Sequence, residues 1–210
     1  DTQQMGLFNW ASVKQGRDAY VQRLNKIYEE NIRKDKIDLI QGVAKLGKED
    51  RQVIVGNQVY EGKNVLIATG SLPILPTNVP GYEHGITSDG FFALEEQPRN
   101  VAIVGSGYIA VELAGIFAAL GTKVTLWCRQ DRIMTHFDKD IAIRLQEEME
   151  HTGKITIHKL SCVREIVKSA DNRMSVKFTD CDDGKMLSDV VKSSDGHDCL
   201  LWAIGRKSKD

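Results

Sequence analysis

The chain has no Cys-x-x-Cys pair and no Cys/His set at zinc spacing, so neither a thioredoxin-type motif nor a structural zinc site is written into it. It has no run of about 18 apolar residues and no signal-peptide pattern at its start, which argues against a membrane span and a secretory leader. An excess of either charge is also absent, with 28 Lys and Arg against 29 Asp and Glu. The net charge of −1 leaves no basic field for nucleic acid. The four cysteines, Cys128, Cys162, Cys181 and Cys199, stand far apart in sequence, as in proteins of a reducing compartment. Internal repeats and low-complexity tracts are absent, and three of the four prolines fall between Ser71 and Pro80. That segment is expected to be neither helix nor central strand but the hinge between two domains.

The most informative stretch present is Val101-Ala-Ile-Val-Gly105-Ser-Gly107-Tyr-Ile-Ala110-Val-Glu112. An apolar run stops at a Gly-x-Gly-x-x-Ala turn and continues as a helix with Ala114, Phe117, Ala118 and Leu120. Gly121 ends that helix, and a second strand, Lys123 to Trp127, follows. This β-α-β context predicts a dinucleotide site: Gly105 for the tight turn, Gly107 for close approach of backbone to pyrophosphate, Ala110 for close helix–strand packing. The phosphates would rest on the free N–H groups at the helix N-terminus.

Around this unit the periodicity predicts a helix from Trp10 to Lys34 with Tyr20, Leu24, Ile27, Tyr28 and Asn31 on one face. Short strands are expected at Ile37 to Ile40, Val53 to Val55 and Val65 to Ala68. A further helix is expected with Asp138 as N-cap, carrying Ile141, Leu145 and Met149 inward and ending near Gly153. Strands follow at Ile155 to His158, Val163 to Lys168, Met174 to Phe178 and Cys199 to Ala203, with Thr179 to Gly184 as a hairpin turn. The fold class is α/β: a Rossmann-like domain over residues 73–210 after a smaller domain over residues 1–72.

Five segments in order, Phe8-Asn-Trp10 with Arg17-Asp-Ala-Tyr-Val-x-Arg-Leu-Asn-x-Ile-Tyr28, Leu66-Ile-Ala-Thr-Gly70, Gly85-Ile-Thr-Ser-Asp-Gly-Phe-Phe92, Gly105 to Glu112, and Cys199-Leu-Leu-Trp-Ala-Ile-Gly-Arg206, resemble the glutathione reductases. These are class I pyridine nucleotide-disulfide oxidoreductases. The resemblance implies a homodimeric flavoenzyme, cytoplasmic or with a mitochondrial form, in which NADPH reduces FAD, FAD a redox disulfide, and the dithiol glutathione disulfide. It also implies that these residues are an internal piece, with residues 1–72 an incomplete FAD-binding domain of the two-dinucleotide-binding flavoprotein type and residues 73–210 the NADPH-binding domain. The family's first FAD-binding Gly-x-Gly-x-x-Gly, its Cys-x-x-x-x-Cys and its catalytic His-Glu pair have no counterpart among them.

Carried over residue by residue, the resemblance sets Gly105, Ser106, Gly107, Ile109 and Ala110 at the NADPH turn. Tyr108 becomes the ring that swings aside for nicotinamide, and Glu112, at i and i+4 from it, the nicotinamide-side carboxylate. Gly205 belongs to the NADPH side and Arg206 to the loop crossing towards flavin; Ala44, Thr69 and Gly70 match backbone contacts to FAD. Tyr20, Ile27, Tyr28 and Asn31 match the lining of the disulfide substrate's cleft, where an ordinary apolar stripe is the plain alternative.

Cofactor choice turns on the end of the second strand. An NAD enzyme carries an acid there for the ribose 2′-OH, whereas an NADP enzyme offers arginine to the 2′-phosphate. Here Cys128 is followed by Arg129, which favours NADPH. Gln130 and Thr135 stand where the family pattern has further basic residues; Arg132 is the candidate to compensate, and Asp131 the candidate for a displaced ribose ligand. Other readings are a dihydrolipoamide dehydrogenase or mercuric reductase relative, a non-catalytic nucleotide-binding module, and an unrelated Rossmann-type dehydrogenase.

Overall fold

The computed structural model describes residues 9–209; Phe8 of the first motif lies outside them. The chain divides into two compact units, residues 11–70 and residues 9–10 with 71–209.

The smaller unit is built on α1 (Trp10–Lys34), which has the bounds its periodicity predicts. Lys14 and Asp18 pair across one turn at 2.7 Å, and Arg33 and Lys34 complement the negative helix end. The antiparallel sheet β1 (Ala44–Leu46), β2 (Gln52–Val55) and β3 (Gln58–Glu61) follows. The expected strand at Val53 to Val55 is thus present within β2. Those at Ile37 to Ile40 and Val65 to Ala68 are not: both segments are irregular and have no ladder partner among the described residues. Their side chains stand in solvent, Ile37 at 59% and Leu66 at 89% exposure. An apolar, β-branched run becomes a strand only where a neighbouring edge takes its N–H and C=O groups.

The larger unit opens with β4 (Ser71–Pro73), a single 3₁₀ turn at Tyr82–His84 and α2 (Ser88–Ala93). Next come β5 (Asn100–Val104), α3 (Tyr108–Ala119), β6 (Lys123–Trp127), α4 (Lys139–His151) and β7 (Ile155–His158). The chain then runs through β8 (Ser161–Lys168), β9 (Met174–Asp182), β10 (Lys185–Met186), β11 (Lys192–His197), β12 (Cys199–Trp202) and β13 (Arg206–Ser208). A parallel sheet of order β12-β5-β6-β7 forms the centre. β8 to β11 form an antiparallel sheet around β9, and β13 pairs with β4 in a separate two-stranded antiparallel sheet.

Alternation along the parallel strands explains the layers. Val101, Ile103, Cys199 and Leu201 face α3 through Ala110, Ala114 and Phe117 in one core. Ala102, Leu200, Trp127 and Trp202 face Ile166, Val176 and Phe178 of the antiparallel sheet in the other. A sheet covered on both faces needs near-continuous apolar strands, and β12, all four residues buried, is one.

Two local expectations change. The buried face of α4 is Ala142, Gln146 and Met149, while Ile141 is 67% exposed. The inward stripe is rotated because Gln146 is drawn in, its Oε1 accepting from Ile133 N at 3.4 Å. The N-cap is as expected, Asp138 Oδ1 accepting from Asp140 N and Ile141 N at 3.0 and 3.2 Å, worth about 1 kcal/mol. Thr179 to Gly184 is not a turn throughout: β9 continues to Asp182 because Thr179 and Cys181 are buried. The chain reverses only at Asp183 and Gly184, with φ of 43° and 85°, the left-handed pair a two-residue hairpin requires.

Between the sheets two histidines are held neutral. His197 is 4% exposed, lies edge-on to Trp127 with ring centroids 5.6 Å apart, and bonds Ser194 Oγ through Nε2 at 3.0 Å. Burial pushes its pKa below the ordinary value, against the opposing pull of Asp195 and Asp198. Burial also lowers His158, stacked on Trp127, helped by Lys192. The unfolded chain therefore takes up protons first as pH falls. Stability is full above the unfolded value of about 6.5 and is lost as pH drops through it towards the lower folded values. A melting temperature that rises between pH 7 and pH 5 would contradict this, and His197→Gln is expected to flatten the decline.

Candidate functional site

The chain order reverses at β5, whose one neighbour, β6, follows it through α3, while the other, β12, comes last. In open parallel sheets the crevice outside the carboxyl ends of such strands is where ligands bind. A cleft of about 820 Å³ lies there, walled by the ends of β5, β6 and β12, by residues 74–79 and by Cys162 to Arg164.

The two motif glycines do different work. Gly105 has φ 133°, and a Cβ on it would stand 2.1 Å from the Ala203 carbonyl oxygen, so glycine here lets β5 turn against the end of β12. Gly107, the N-cap of α3, has an extended backbone and no side-chain capping bond. A Cβ on Gly107 would meet nothing within 4 Å, which means the helix start opens directly into the cleft. The first bond of the helix runs from Val111 N to Gly107 O at 3.1 Å. The amides of Tyr108, Ile109 and Ala110 therefore have no acceptor within the helix. Uncapped amides with space before them at a helix N-terminus are the electrostatic requirement of a diphosphate site.

The sequence-derived residues fall into two sets. Gly105, Ser106, Gly107, Tyr108, Ile109, Arg129, Gly205 and Arg206 all line the cleft. Tyr108 is half exposed at 52%, with Glu112 one turn along α3, exposed and outside the lining. Ala110 is fully buried beneath the helix, where it serves packing. Ser106 O receives Met134 N at 2.7 Å, fixing the loop after β6 across the cleft floor. Gly205 O receives Ile74 N at 3.0 Å. Arg206 is held by Ser71, its Nε donating to Oγ and its Nη2 to the carbonyl oxygen, both at 2.7 Å. The second set belongs to the smaller unit. Tyr20, Ile27, Tyr28 and Asn31 share one face of α1, the tyrosines 53% and 60% exposed. Ala44 lies on β1, and Thr69 and Gly70 at the unit's end, all exposed.

At the end of β6 the side chain that would meet a ribose is withdrawn. Cys128 is fully buried and its Sγ donates to Arg132 O at 3.1 Å; burial pushes its thiol pKa up. Arg129 next to it is exposed on the cleft wall. Neither of the two stand-ins weighed from sequence is brought to the cleft. Asp131 and Arg132 pair with each other at 3.3 Å, Arg132 turns its Nη2 to Thr135 O, and neither lines the wall. Gln130 and Thr135 do line it, joined by a 3.5 Å hydrogen bond.

Sequence reasoning missed the far wall. Residues 74–79 fall in the segment expected to be the hinge, and Cys162, Val163, Arg164, His136 and Phe137 carry no local motif. The cysteines stand far apart in sequence. The Cys181 thiol donates to Arg129 O at 3.8 Å, and burial first, then the neighbouring Cys162 of β8, pushes Cys181 up to about 12.

A parallel sheet with a glycine turn, an uncapped helix and an arginine after the second strand defines an α/β protein with a Rossmann-like dinucleotide-binding unit. Residues 4–210 match the family described as pyridine nucleotide-disulphide oxidoreductase, and the chain belongs to that family. It is 42% identical over 212 residues to the glutathione reductase of Schizosaccharomyces pombe, a match covering 98% of this chain and 43% of the relative. The glutathione reductase of Yarrowia lipolytica is 41% identical over 95% of this chain and 42% of the relative. Among solved structures, the HOCl-induced flavoprotein disulfide reductase RclA from Escherichia coli superposes with a TM-score of 0.79 at 26% identity, over 97% of this chain and 44% of that one. The chain thus spans less than half the length of the relatives it matches. Among the described residues no helix is long and apolar enough to cross a membrane, and no cluster of His, Cys, Asp and Glu could hold a metal.

Proposed function

We propose that this chain is the nucleotide-binding portion of an NADPH-dependent glutathione-disulfide reductase. In this reading the whole protein uses FAD and a redox disulfide, works as a homodimer, and resides in the cytoplasm or in mitochondria. The carrying observation is the uncapped start of α3, opening through Gly107 into a cleft whose edge presents Arg129 and withdraws Cys128. Those residues fit NADPH: the amides of Tyr108, Ile109 and Ala110 would hold its diphosphate and Arg129 its 2′-phosphate. When bound, the nucleotide supplies a hydride. Tyr108 covers the nicotinamide end of the cleft, and Glu112 holds negative charge one helical turn away. Arg206, fixed on Ser71, braces the crossing segment. Ala44, Thr69 and Gly70 are assigned to FAD, and Tyr20, Ile27, Tyr28 and Asn31 to glutathione disulfide. The NAD-linked relatives are disfavoured because a buried thiol stands where they need an exposed carboxylate.

Titration of the chain with the two reduced nucleotides tests this. NADPH is expected to bind more tightly than NADH by roughly 1.5 kcal/mol, about tenfold, the size of one charge-assisted phosphate contact at an exposed site. Arg129→Glu should reverse the order. Equal affinities in the unsubstituted chain would sink the assignment.

A further inference from the structure

The cleft has no acidic residue on its wall; its charged side chains are Arg129, Arg164 and Arg206, with His136 nearby. Arg206 is already engaged by Ser71 and, through Nη1, by Ser88 Oγ at 3.4 Å. The acids near the other two are used elsewhere: Asp131 pairs with Arg132, and Glu165 with Lys177 at 2.7 Å. No ion pair among the described residues takes up Arg129 or Arg164, both of which line the cleft. A phosphate monoester carries about −1.5 to −2 charges near neutral pH, so a single guanidinium does not balance it.

The backbone presents Arg164 for a reason. Val163 pairs with Phe178 and Glu165 with Lys177, so Arg164 is the extra residue of a β-bulge in β8. Without the bulge, Val163 and Ile166 would point to opposite faces. With it, both pack on Phe178 and Val176 in the inter-sheet core, and Arg164 is released from the ladder towards the cleft wall. A bulge re-aims one side chain at the cost of one ladder position and is common beside binding sites. Arg129 reaches the same sheet from the other side, its Nη1 standing 3.9 Å from where a Cβ on Gly184 would be.

We propose that Arg164 is the second cation of the cleft and a specificity-determining residue that, with Arg129, selects a nucleotide bearing a 2′-phosphate. This rests on the nucleotide reading above. It assigns to the bulge of β8 the charge that Gln130 and Thr135 do not supply and that Arg132, turned towards Asp131, does not bring.

The test is fluorescence titration of the chain with NADPH and NADH, and competition by 2′,5′-ADP and 5′-AMP, for the unsubstituted protein, Arg129→Gln, Arg164→Gln and Arg164→Lys. Arg164→Gln should weaken NADPH and 2′,5′-ADP about tenfold and leave NADH and 5′-AMP within about twofold, the pattern of a lost phosphate contact. Arg164→Lys should restore most of the difference, and the salt dependence of NADPH binding should be shallower in the glutamine variant. Equal weakening of both nucleotides, or no change in either, overturns the role of Arg164; if Arg129→Gln still lowers NADPH alone, the nucleotide reading stands. Failure of the unsubstituted chain to bind either nucleotide overturns the nucleotide reading itself. Arg164 is exposed, and unchanged melting of both variants verifies that folding is not what was measured.

Discussion

Gly105→Ala should cost the larger unit more than about 3 kcal/mol and abolish nucleotide binding with it. Gly105 sits where three strand ends meet: its N–H donates to Trp127 O at 3.0 Å, and the adjacent Val104 O accepts from Ala203 N at 2.8 Å. A methyl there would lie 2.1 Å from Ala203 O and 2.6 Å from Ala203 C. Both are backbone atoms, so no rotamer change relieves the overlap. The φ of 133° adds a conformational penalty of order 1–3 kcal/mol for any residue with a Cβ. Relief requires β12 to part from β5, taking Leu201 and Trp202, both nearly inaccessible to solvent, out of register. Gly107→Ala is the matched contrast. It meets nothing within 4 Å, so the fold should melt normally while the added methyl occupies the space a diphosphate needs. Thermal melting with NADPH titration separates the two variants; a Gly105→Ala protein melting within about 2 °C of the parent would refute the wedge argument.

The contrast shows what was legible in the sequence. Gly-x-Gly-x-x-Ala between an apolar run and a small-residue helix is a local pattern, and local patterns carried β5, α3 and β6 into the structure with little error. The Asp138 cap and the ends of α1 were legible for the same reason: helix periodicity and capping are decided within a few residues. Ile37 to Ile40 and Val65 to Ala68 have the composition of strands, but a strand is a relation between two segments, and composition names only one of them. Ile141 fails similarly, because what α4 buries depends on Ile133 claiming Gln146.

The site divides along the same line. Its floor, Gly105 to Ile109 with Arg129, could be read from one motif and one strand end. Its far wall could not. Arg164 reaches the cleft only because Val163 and Ile166 must share a core face, which follows from β9 lying opposite. The stand-in that sequence proximity suggested, Arg132, is closer to Arg129 in the chain yet turned away from the cleft by Asp131 and Thr135. Proximity in sequence gave a plausible cation, but pairing decided which one was free.

Phe117→Ala is the second large effect expected, about 3–5 kcal/mol of stability. Phe117 is fully buried on the sheet-facing side of α3. Its ring stacks on Trp10 at 6.3 Å and meets Phe91 edge-on at 5.1 Å, and Trp10 meets Phe91 edge-on at 6.2 Å. Trp10 is tied down separately by its Nε1 bond to Leu94 O at 2.9 Å. With one corner of this aromatic triangle anchored by a hydrogen bond and another on a helix fixed against the sheet, the surroundings cannot collapse into the space that truncation leaves. The cost therefore lies at the cavity-bearing end of the range rather than the relaxed end. Ile116 on the same helix is 43% exposed, and Ile116→Ala should cost under about 1 kcal/mol, since little of its surface leaves water on folding. The amides at the start of α3 lie about two turns or more from Phe117. Nucleotide affinity of the folded Phe117→Ala protein should consequently fall much less than its stability. Urea denaturation at 25 °C alongside NADPH titration measures both quantities. A loss below about 1 kcal/mol would mean that the aromatic cluster repacks freely, and that α3 is held to the sheet by its other buried residues, Val111 and Leu113 with the alanines.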